Sequence, residues 1–333
     1  MIEPWIHTHS DKPKLLVIYG PTACGKTSLT IELAKKYDGE VIVADSRQVY
    51  RGMDIGTGKV TEEEKQGIVH HMLDIRDISE MYGVGEFAPE ARNLIADITA
   101  RGKLPILSGG TGLFIDSVVG NFTIPEVKAD WEYRDELEEF RLAEWNDALW
   151  QKLNKIDPIY AAELDPRNFR YVIRGLEIWK ATGKSKKELG QKTESPYDFL
   201  RITPFDGDRE KLYQKINKRV EEMFRDGLIE EVRELLKNSM RAPLSRGDAW
   251  KAEGLNDNNW TPQPTATPLD RGAVDGKFWT QEILKELPGL NAIGYREIIT
   301  YLAGEVSLEQ TIELVQQNSR HYAKRQLTWF RKY

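Results

Sequence analysis

The sequence contains one cysteine, Cys24. A single thiol excludes an internal disulfide framework and any cysteine-based zinc site. There is no run of about eighteen apolar residues, which a membrane-spanning helix requires. Met1 to Pro13 is polar and lacks an apolar h-region, so no signal peptide is expected. These absences together predict a cytoplasmic protein with no membrane association. An overall positive charge is also missing: 47 Lys and Arg against 53 Asp and Glu give a net charge of −6. That balance does not exclude a polyanionic partner, because phosphate contacts depend on local basic clusters. Residues 167–192 carry eight Lys/Arg and two acids, and the last fourteen residues carry five Lys/Arg and no acid. Residues 132–147, by contrast, are acid-rich.

A chain of 333 residues can bury a sizeable core and is expected to form two domains. Lys14 to Tyr19 (KLLVIY) is a short apolar run ending at Gly20, the pattern of a buried parallel strand. A helix is expected from Lys26 to Tyr37, strands at Val41–Ala44 and Leu104–Leu107, and a helix at Pro89–Ala100. Alternating strands and helices predict βαβ units and a parallel sheet. From Pro125 to Lys192 the strand pattern gives way to helical stretches rich in Glu, Lys, Leu and Trp. A further strand is expected at Phe199–Thr203, then a long helix capped by Asp208. The fold class expected is α/β: a P-loop NTPase-like parallel sheet core, residues 1–124 and 196–333, with an inserted helical domain at 125–195. Residues 240–280, with Pro243, Pro262, Pro264 and Pro268, are expected to form an irregular insert.

Gly20-Pro21-Thr22-Ala23-Cys24-Gly25-Lys26-Thr27 matches G-x4-G-K-[ST] between an apolar strand and a helix, the context that gives this motif its meaning. Such a loop points backbone N–H groups inward, with the helix N-terminus behind them. Lys26 supplies a point charge for phosphate oxygens, and the Thr27 hydroxyl suits Mg²⁺. Cys24 is either a small filler, the preferred reading, or a thiol acidified by the helix end and open to alkylation.

Asp45 closes the second strand and is expected at the crevice beyond the strand ends. It fits three roles: holding Mg²⁺ through water, general base, or cap of the Ser46-Arg47-Gln48 turn. Gly109-Gly110-Thr111-Gly112 forms a second glycine-rich turn at the same edge, where Thr111 can donate to a phosphate. Leu212, Ile216, Arg219 and Met223 share one helix face, so Arg219 sits in an apolar seam and needs a partner. That partner is either a diphosphate or a structural counter-charge. His70 and His71 lack a third ligand at a fitting spacing and are expected to be structural.

Seven stretches in order resemble the tRNA dimethylallyltransferases (the IPP transferase family). They are GPTACGKT at 20–27, DSRQVYRGMDIGTGK at 45–59, HHMLDI at 70–75, GGTGLF at 109–114, RNFRYVIRGLEI at 167–178, NAIGYREI at 291–298 and AKRQLTWFRK at 323–332. The resemblance implies that dimethylallyl diphosphate, not ATP, occupies the phosphate loop. The acceptor it implies is the exocyclic amine of the adenosine 3′ to the anticodon, flipped out of the tRNA anticodon stem-loop. In that role Asp45 is the general base, Thr111 supports the leaving diphosphate, Arg134 and Arg219 stabilise charge, and Mg²⁺ at Thr27 is the cofactor. The implied tRNA contacts are Asp45, Ser46, Arg47 and Gln48; Arg170, Tyr171, Val172, Ile173 and Arg174; Asn291, Ala292, Ile293, Gly294, Tyr295 and Arg296; and Arg320 and Lys324. Arg170 and Arg174, four apart, would face the RNA backbone, and the Tyr295 ring would stack on an unpaired base. In the C-terminal helix, Tyr322 and Trp329 fall on an apolar seam opposite the basic stripe.

The chain departs from the family's pattern at Phe114, where Tyr is common, and at Phe169 and Tyr171, where a Pro and a basic residue are common. It has no cysteine-rich C-terminal zinc finger. The family suggests a monomer. The alternatives are a transferase acting on free AMP, a P-loop kinase or NTPase, and a non-catalytic RNA-binding module.

Overall fold

A computed structural model describes residues 2–120, 127, 129–190, 194–241 and 283–333. Two compact units emerge. The first comprises Met1–Gly83, Glu90–Ile115 and Tyr197–Tyr333; the second comprises Val84–Pro89 and Asp116–Pro196. The second unit is thus larger than the 125–195 segment expected from composition. The segment expected to be irregular, 240–280, begins inside a helix that runs to Arg241; from 242 onward it lies outside the described residues.

The strands are β1 (Lys14–Tyr19), β2 (Gly39–Ala44), β3 (His70–His71), β4 (Leu104–Gly109) and β5 (Asp198–Ile202). They form one sheet in the order β3-β2-β4-β1-β5, with every pairing parallel. β2 and β4 are buried along their whole length, and β1 at all but its end residues, as expected for a sheet covered on both faces. The two-residue β3 was not foreseen, being too short to carry a pattern.

Short helices are α1 (Ile2–Ile6) and α3 (Glu62–Lys65); longer ones are α2 (Lys26–Lys36), α4 (Val84–Ala100) and α5 (Gly112–Val119). α4 begins at Val84 rather than at the expected Pro89, which lies inside it. Leu33 and Ala34 of α2 pack with Leu16, Ile18, Val41, Val43, Leu104 and Ile106 in the sheet core. At the centre of this layer the Thr30 and Ser108 hydroxyls pair at 2.7 Å, tying α2 to β4.

In the second unit α6 (Trp131–Ile156) is broken at Trp145, whose φ of 69° and ψ of 169° are not helical. It is followed by α7 (Pro158–Ala161), α8 (Phe169–Thr182) and α9 (Lys186–Leu189). Leu137, Leu149, Leu153, Tyr160, Ala161, Val172, Ile173 and Leu176 form its core.

The remaining helices belong to the first unit: α10 (Arg209–Arg225), α11 (Leu228–Arg241), α12 (Tyr295–Leu302) and α13 (Leu308–Phe330). Asp208 caps α10 as expected, its side chain accepting from Lys211 N. Among the described residues no helix is long and apolar enough to cross a membrane.

Candidate active site

Strand register builds the site. Tyr19 of β1 and Ala44 of β2 both pair with Gly109 of β4, so three adjacent strands end level. The loops that follow them therefore start side by side. Gly20 opens the phosphate loop, Asp45 follows β2, and Gly110-Thr111 emerges between the two.

The phosphate loop is set by its own backbone. Ala23 (φ 62°) and Gly25 (φ 92°) take left-handed conformations, which turn the chain sharply ahead of α2. Gly25 is the N-cap of α2 and makes no side-chain cap bond, whereas Asp130, Asp208 and Ser307 cap α6, α10 and α13 with side-chain oxygens. No side chain caps the start of α2, where the helix dipole favours an anion. Thr27, in this first turn, is exposed.

Lys26 folds back to donate to Pro21 O at 2.8 Å. Burial lowers its pKa, and Arg219 lowers it further, while Asp45 acts the other way. Burial likewise lowers the pKa of Arg219, again opposed by Asp45. The Arg219 guanidinium donates to Gly58 O at 3.2 Å and makes no carboxylate ion pair among the described residues. Two partly buried cations share the Asp45 carboxylate, with Glu64 and Glu222 acting on Arg219 at longer range and no ion pair made by either cation among the described residues, so the loop suits a further anion.

Asp45 fills the capping role among those open to it. Its Oδ1 accepts from Arg47 N at 2.8 Å and from Gln48 N at 3.4 Å, capping the Ser46-Arg47-Gln48 turn. Oδ2 has no hydrogen-bond partner among the described residues. Ser46 N donates to Thr111 Oγ1 at 3.2 Å, so the Thr111 hydroxyl lies beside the Asp45 turn.

The glycine-rich turns are seats for side chains. A Cβ on Gly110 would lie 2.4 Å from Gln326 Nε2, and one on Gly112 would lie 2.2 Å from the Trp329 ring. Likewise, a Cβ on Gly56 would lie 2.5 Å from the Tyr295 ring. Tyr322 of α13, assigned from its spacing to an apolar seam, faces Thr111 and Asp45 instead. Burial, with help from the Asp45 charge, pushes its hydroxyl pKa up to about 12.

Cys24 is buried against Leu212, Ile216 and Ala323, and burial raises its pKa. The reading of an acidified, reactive thiol is therefore dropped: Cys24 fastens the phosphate loop to α10 and α13. His71 pairs with Glu40 at 2.8 Å and His70 with Ile68 O at 2.9 Å, a structural placement.

The residues expected to meet RNA separate into three groups. Arg170 and Tyr171 are exposed, as are Asn291 and Lys324. Arg47 and Arg320 are partly exposed but hold Pro288 O and Asn217 Oδ1. Val172, Ile173, Ala292, Gly294 and Tyr295 are buried. Tyr295, 0% exposed, cannot stack on a base; its hydroxyl donates to Glu231 at 2.6 Å. Glu231 also accepts from the backbone N–H groups of Asp54, Ile55 and Gly56, so the pair fixes the loop that carries Gly58. Arg174 does not stand free beside Arg170: it pairs with the buried Glu177 and donates to Val127 O. Arg134 pairs with the same Glu177 at 2.7 Å and lies over the Trp131 ring, inside the second unit. Gln326, Tyr322 and Glu231 were missed as site residues, because their partners lie far away along the chain.

A family model described as IPP transferase matches residues 48–257 and 266–333. The chain is 43% identical to a tRNA dimethylallyltransferase of Halalkalibacterium halodurans, over 96% of this chain and 88% of that one. It is 41% identical to one from Enterococcus faecalis, over 96% and 88%. Among solved structures, a full-length tRNA isopentenylpyrophosphate transferase from Bacillus halodurans aligns with a TM-score of 0.60 at 41% identity, covering 97% of this chain and 88% of that one. A eukaryotic dimethylallyltransferase acting on tRNA aligns with a TM-score of 0.71 at 31% identity, covering 95% and 69%. The chain belongs to the IPP transferase family.

Proposed function

We propose that this protein transfers a dimethylallyl group from dimethylallyl diphosphate to tRNA, at the N6 amine of the adenosine 3′ to the anticodon. The observation that carries this reading is the pair of desolvated cations, Lys26 and Arg219, opposite the unpartnered Oδ2 of Asp45 at the phosphate loop. A kinase also has the loop and the lysine. A carboxylate oxygen free to accept a proton, beside a diphosphate cradle, suits alkylation of an N–H acceptor.

The diphosphate is held by the N–H groups of the first turn of α2, by Lys26 and by Arg219. The amine nitrogen attacks the allylic carbon; the new C–N bond forms as the C–O bond to diphosphate breaks, and its electron pair leaves with the diphosphate. Asp45 Oδ2 takes the amine proton. Negative charge grows on the leaving oxygen, where Lys26, Arg219 and the Thr111 hydroxyl stabilise it. An adenine amine is a weak nucleophile, so fixed geometry and leaving-group neutralisation carry more of the rate than the base.

The exposed Thr27 hydroxyl would hold Mg²⁺, a hard ion that prefers oxygen ligands. Among the described residues no group of three or more His, Cys, Asp or Glu forms a protein cage for it. When bound, it would neutralise charge on the departing diphosphate. The exposed basic residues Arg170 and Lys324 suit contacts with the tRNA backbone.

An Asp45→Asn variant, which keeps the Oδ1 cap and removes the basic carboxylate, tests the assignment: it keeps tRNA binding and loses transfer. If D45N transfers at the wild-type rate, Asp45 is not the base.

A further inference from the structure

Gln326, in the last third of α13, is 6% exposed, although it carries a polar amide. Its Oε1 accepts from Thr22 N, in the phosphate loop, at 2.9 Å. Its Nε2 donates to Gly110 O, at the foot of the Thr111 turn, at 3.0 Å. One side chain thus satisfies a donor on the loop after β1 and an acceptor on the loop after β4. The fit is tight, since a Cβ on Gly110 would come within 2.4 Å of Nε2. One turn earlier on α13, Tyr322 faces Thr111 and Asp45. The helix-period spacing of 322 and 326 places both on the face that meets the site.

Two consequences follow from the bonding. Because the Thr22 N–H is already engaged, a diphosphate draws its backbone donors from the loop after Thr22, nearer the start of α2. Because both ends of the amide are committed, the separation between the phosphate cradle and the Thr111 hydroxyl is set by one rigid group.

We infer that Gln326 is a positioning residue for the transfer step, clamping the phosphate loop to the Thr111 turn so that the diphosphate and the Asp45–Thr111 pair are held at one fixed spacing. The inference rests on the proposed function. Gln326 touches neither substrate and acts through Thr22 and Gly110. Its removal should therefore affect the rate of transfer more than the binding of diphosphate. A misplacement of about 1 Å in such a site costs on the order of 10²-fold in rate.

The test is Gln326→Leu, which keeps the volume and removes both hydrogen bonds. Transfer of labelled dimethylallyl to tRNA gives kcat and KM, calorimetry with inorganic pyrophosphate gives affinity, and thermal melting monitors folding. The expected result is a kcat lower by about 30- to 100-fold, with pyrophosphate affinity within about threefold of wild type. Transfer within threefold of wild type overturns the inference, as does parallel loss of pyrophosphate binding, which marks a merely structural role. Should Q326L melt early, Gly110→Ala supplies a second arm. G110A displaces the amide and slows transfer, and Q326A combined with G110A is no slower than Q326A alone. Additive losses in that cycle overturn the inference. If the wild-type protein transfers nothing to tRNA, the proposed function fails and the inference with it. If the wild type transfers and Q326L keeps pace, the inference alone fails.

Discussion

Arg219 Nη2 donates to the carbonyl of Gly58 at 3.2 Å, filling the space a side chain on Gly58 would take: a Cβ there would lie 1.4 Å from that nitrogen. Gly58 also has a left-handed φ of 57°, which an L side chain adopts only with strain. The DIGTGK stretch therefore requires glycine for the sake of a cation 161 residues away. Gly58→Ala is expected to slow transfer by on the order of 10²-fold, close to the loss in Arg219→Ala, because both displace the same guanidinium. Steady-state kinetics on the two variants checks this. A G58A enzyme with wild-type kcat would show that Arg219 does not act at the diphosphate.

Cys24 is expected to resist alkylation. Its thiol is 8% exposed, and burial raises its pKa, so little thiolate is present at neutral pH. Iodoacetamide at pH 7.5 should leave native protein unmodified and label it stoichiometrically in denaturant, as mass spectrometry would record. Rapid labelling of the native protein would mean that the loop opens.

Glu40 links stability to pH. Its carboxylate is 4% exposed and accepts from Arg101 Nη2 at 2.7 Å and from His71 at 2.8 Å. These bonds, Arg101 first, hold its pKa at about 2. The folded pKa is depressed below the ordinary value of 4.5. The stabilisation is therefore complete above about pH 4.5 and is lost as pH falls towards 2. Glu40→Gln is expected to cost on the order of 2 kcal/mol at pH 7 and progressively less on acidification. Urea titrations at pH 7, 4.5 and 3 measure the difference; a constant penalty across that range would contradict the assignment.

Arg170 and Tyr295 should behave differently towards RNA. Arg170→Ala, at an exposed cation, is expected to weaken tRNA binding and reduce the salt slope by about one. Tyr295→Phe removes only the hydroxyl bonded to Glu231, and is expected to cost about 1 kcal/mol of stability while leaving tRNA affinity within twofold. Filter binding across a salt series, with melting curves, separates them. A large affinity loss in Y295F would place that ring against the RNA.

The strand–loop–helix at Lys14–Lys36 was legible because a buried apolar run, glycines and a helix signal occur in immediate succession, where local rules suffice. Asp45 was legible from its place at a strand end, and Asp208 from cap chemistry. What could not be read depends on contacts across the chain. Nothing local distinguishes a stacking tyrosine from Tyr295, whose partner Glu231 lies 64 residues earlier. Arg174 shows the same limit: its spacing from Arg170 suggested a phosphate-facing pair, but Glu177, three residues on, takes it. Gln326 gave no signal because its partners are loop backbone at 22 and 110. The glycines at 110 and 112 suggested a phosphate turn, although each makes room for a distant side chain.

The most direct test of the central claim is to offer labelled dimethylallyl diphosphate, with Mg²⁺, to unmodified tRNA and in parallel to AMP. An ATP-hydrolysis assay on the same protein accompanies it. The account predicts label in tRNA, none in AMP and no ATP turnover. Label in AMP alone, or ATP turnover with no label in either acceptor, would contradict it.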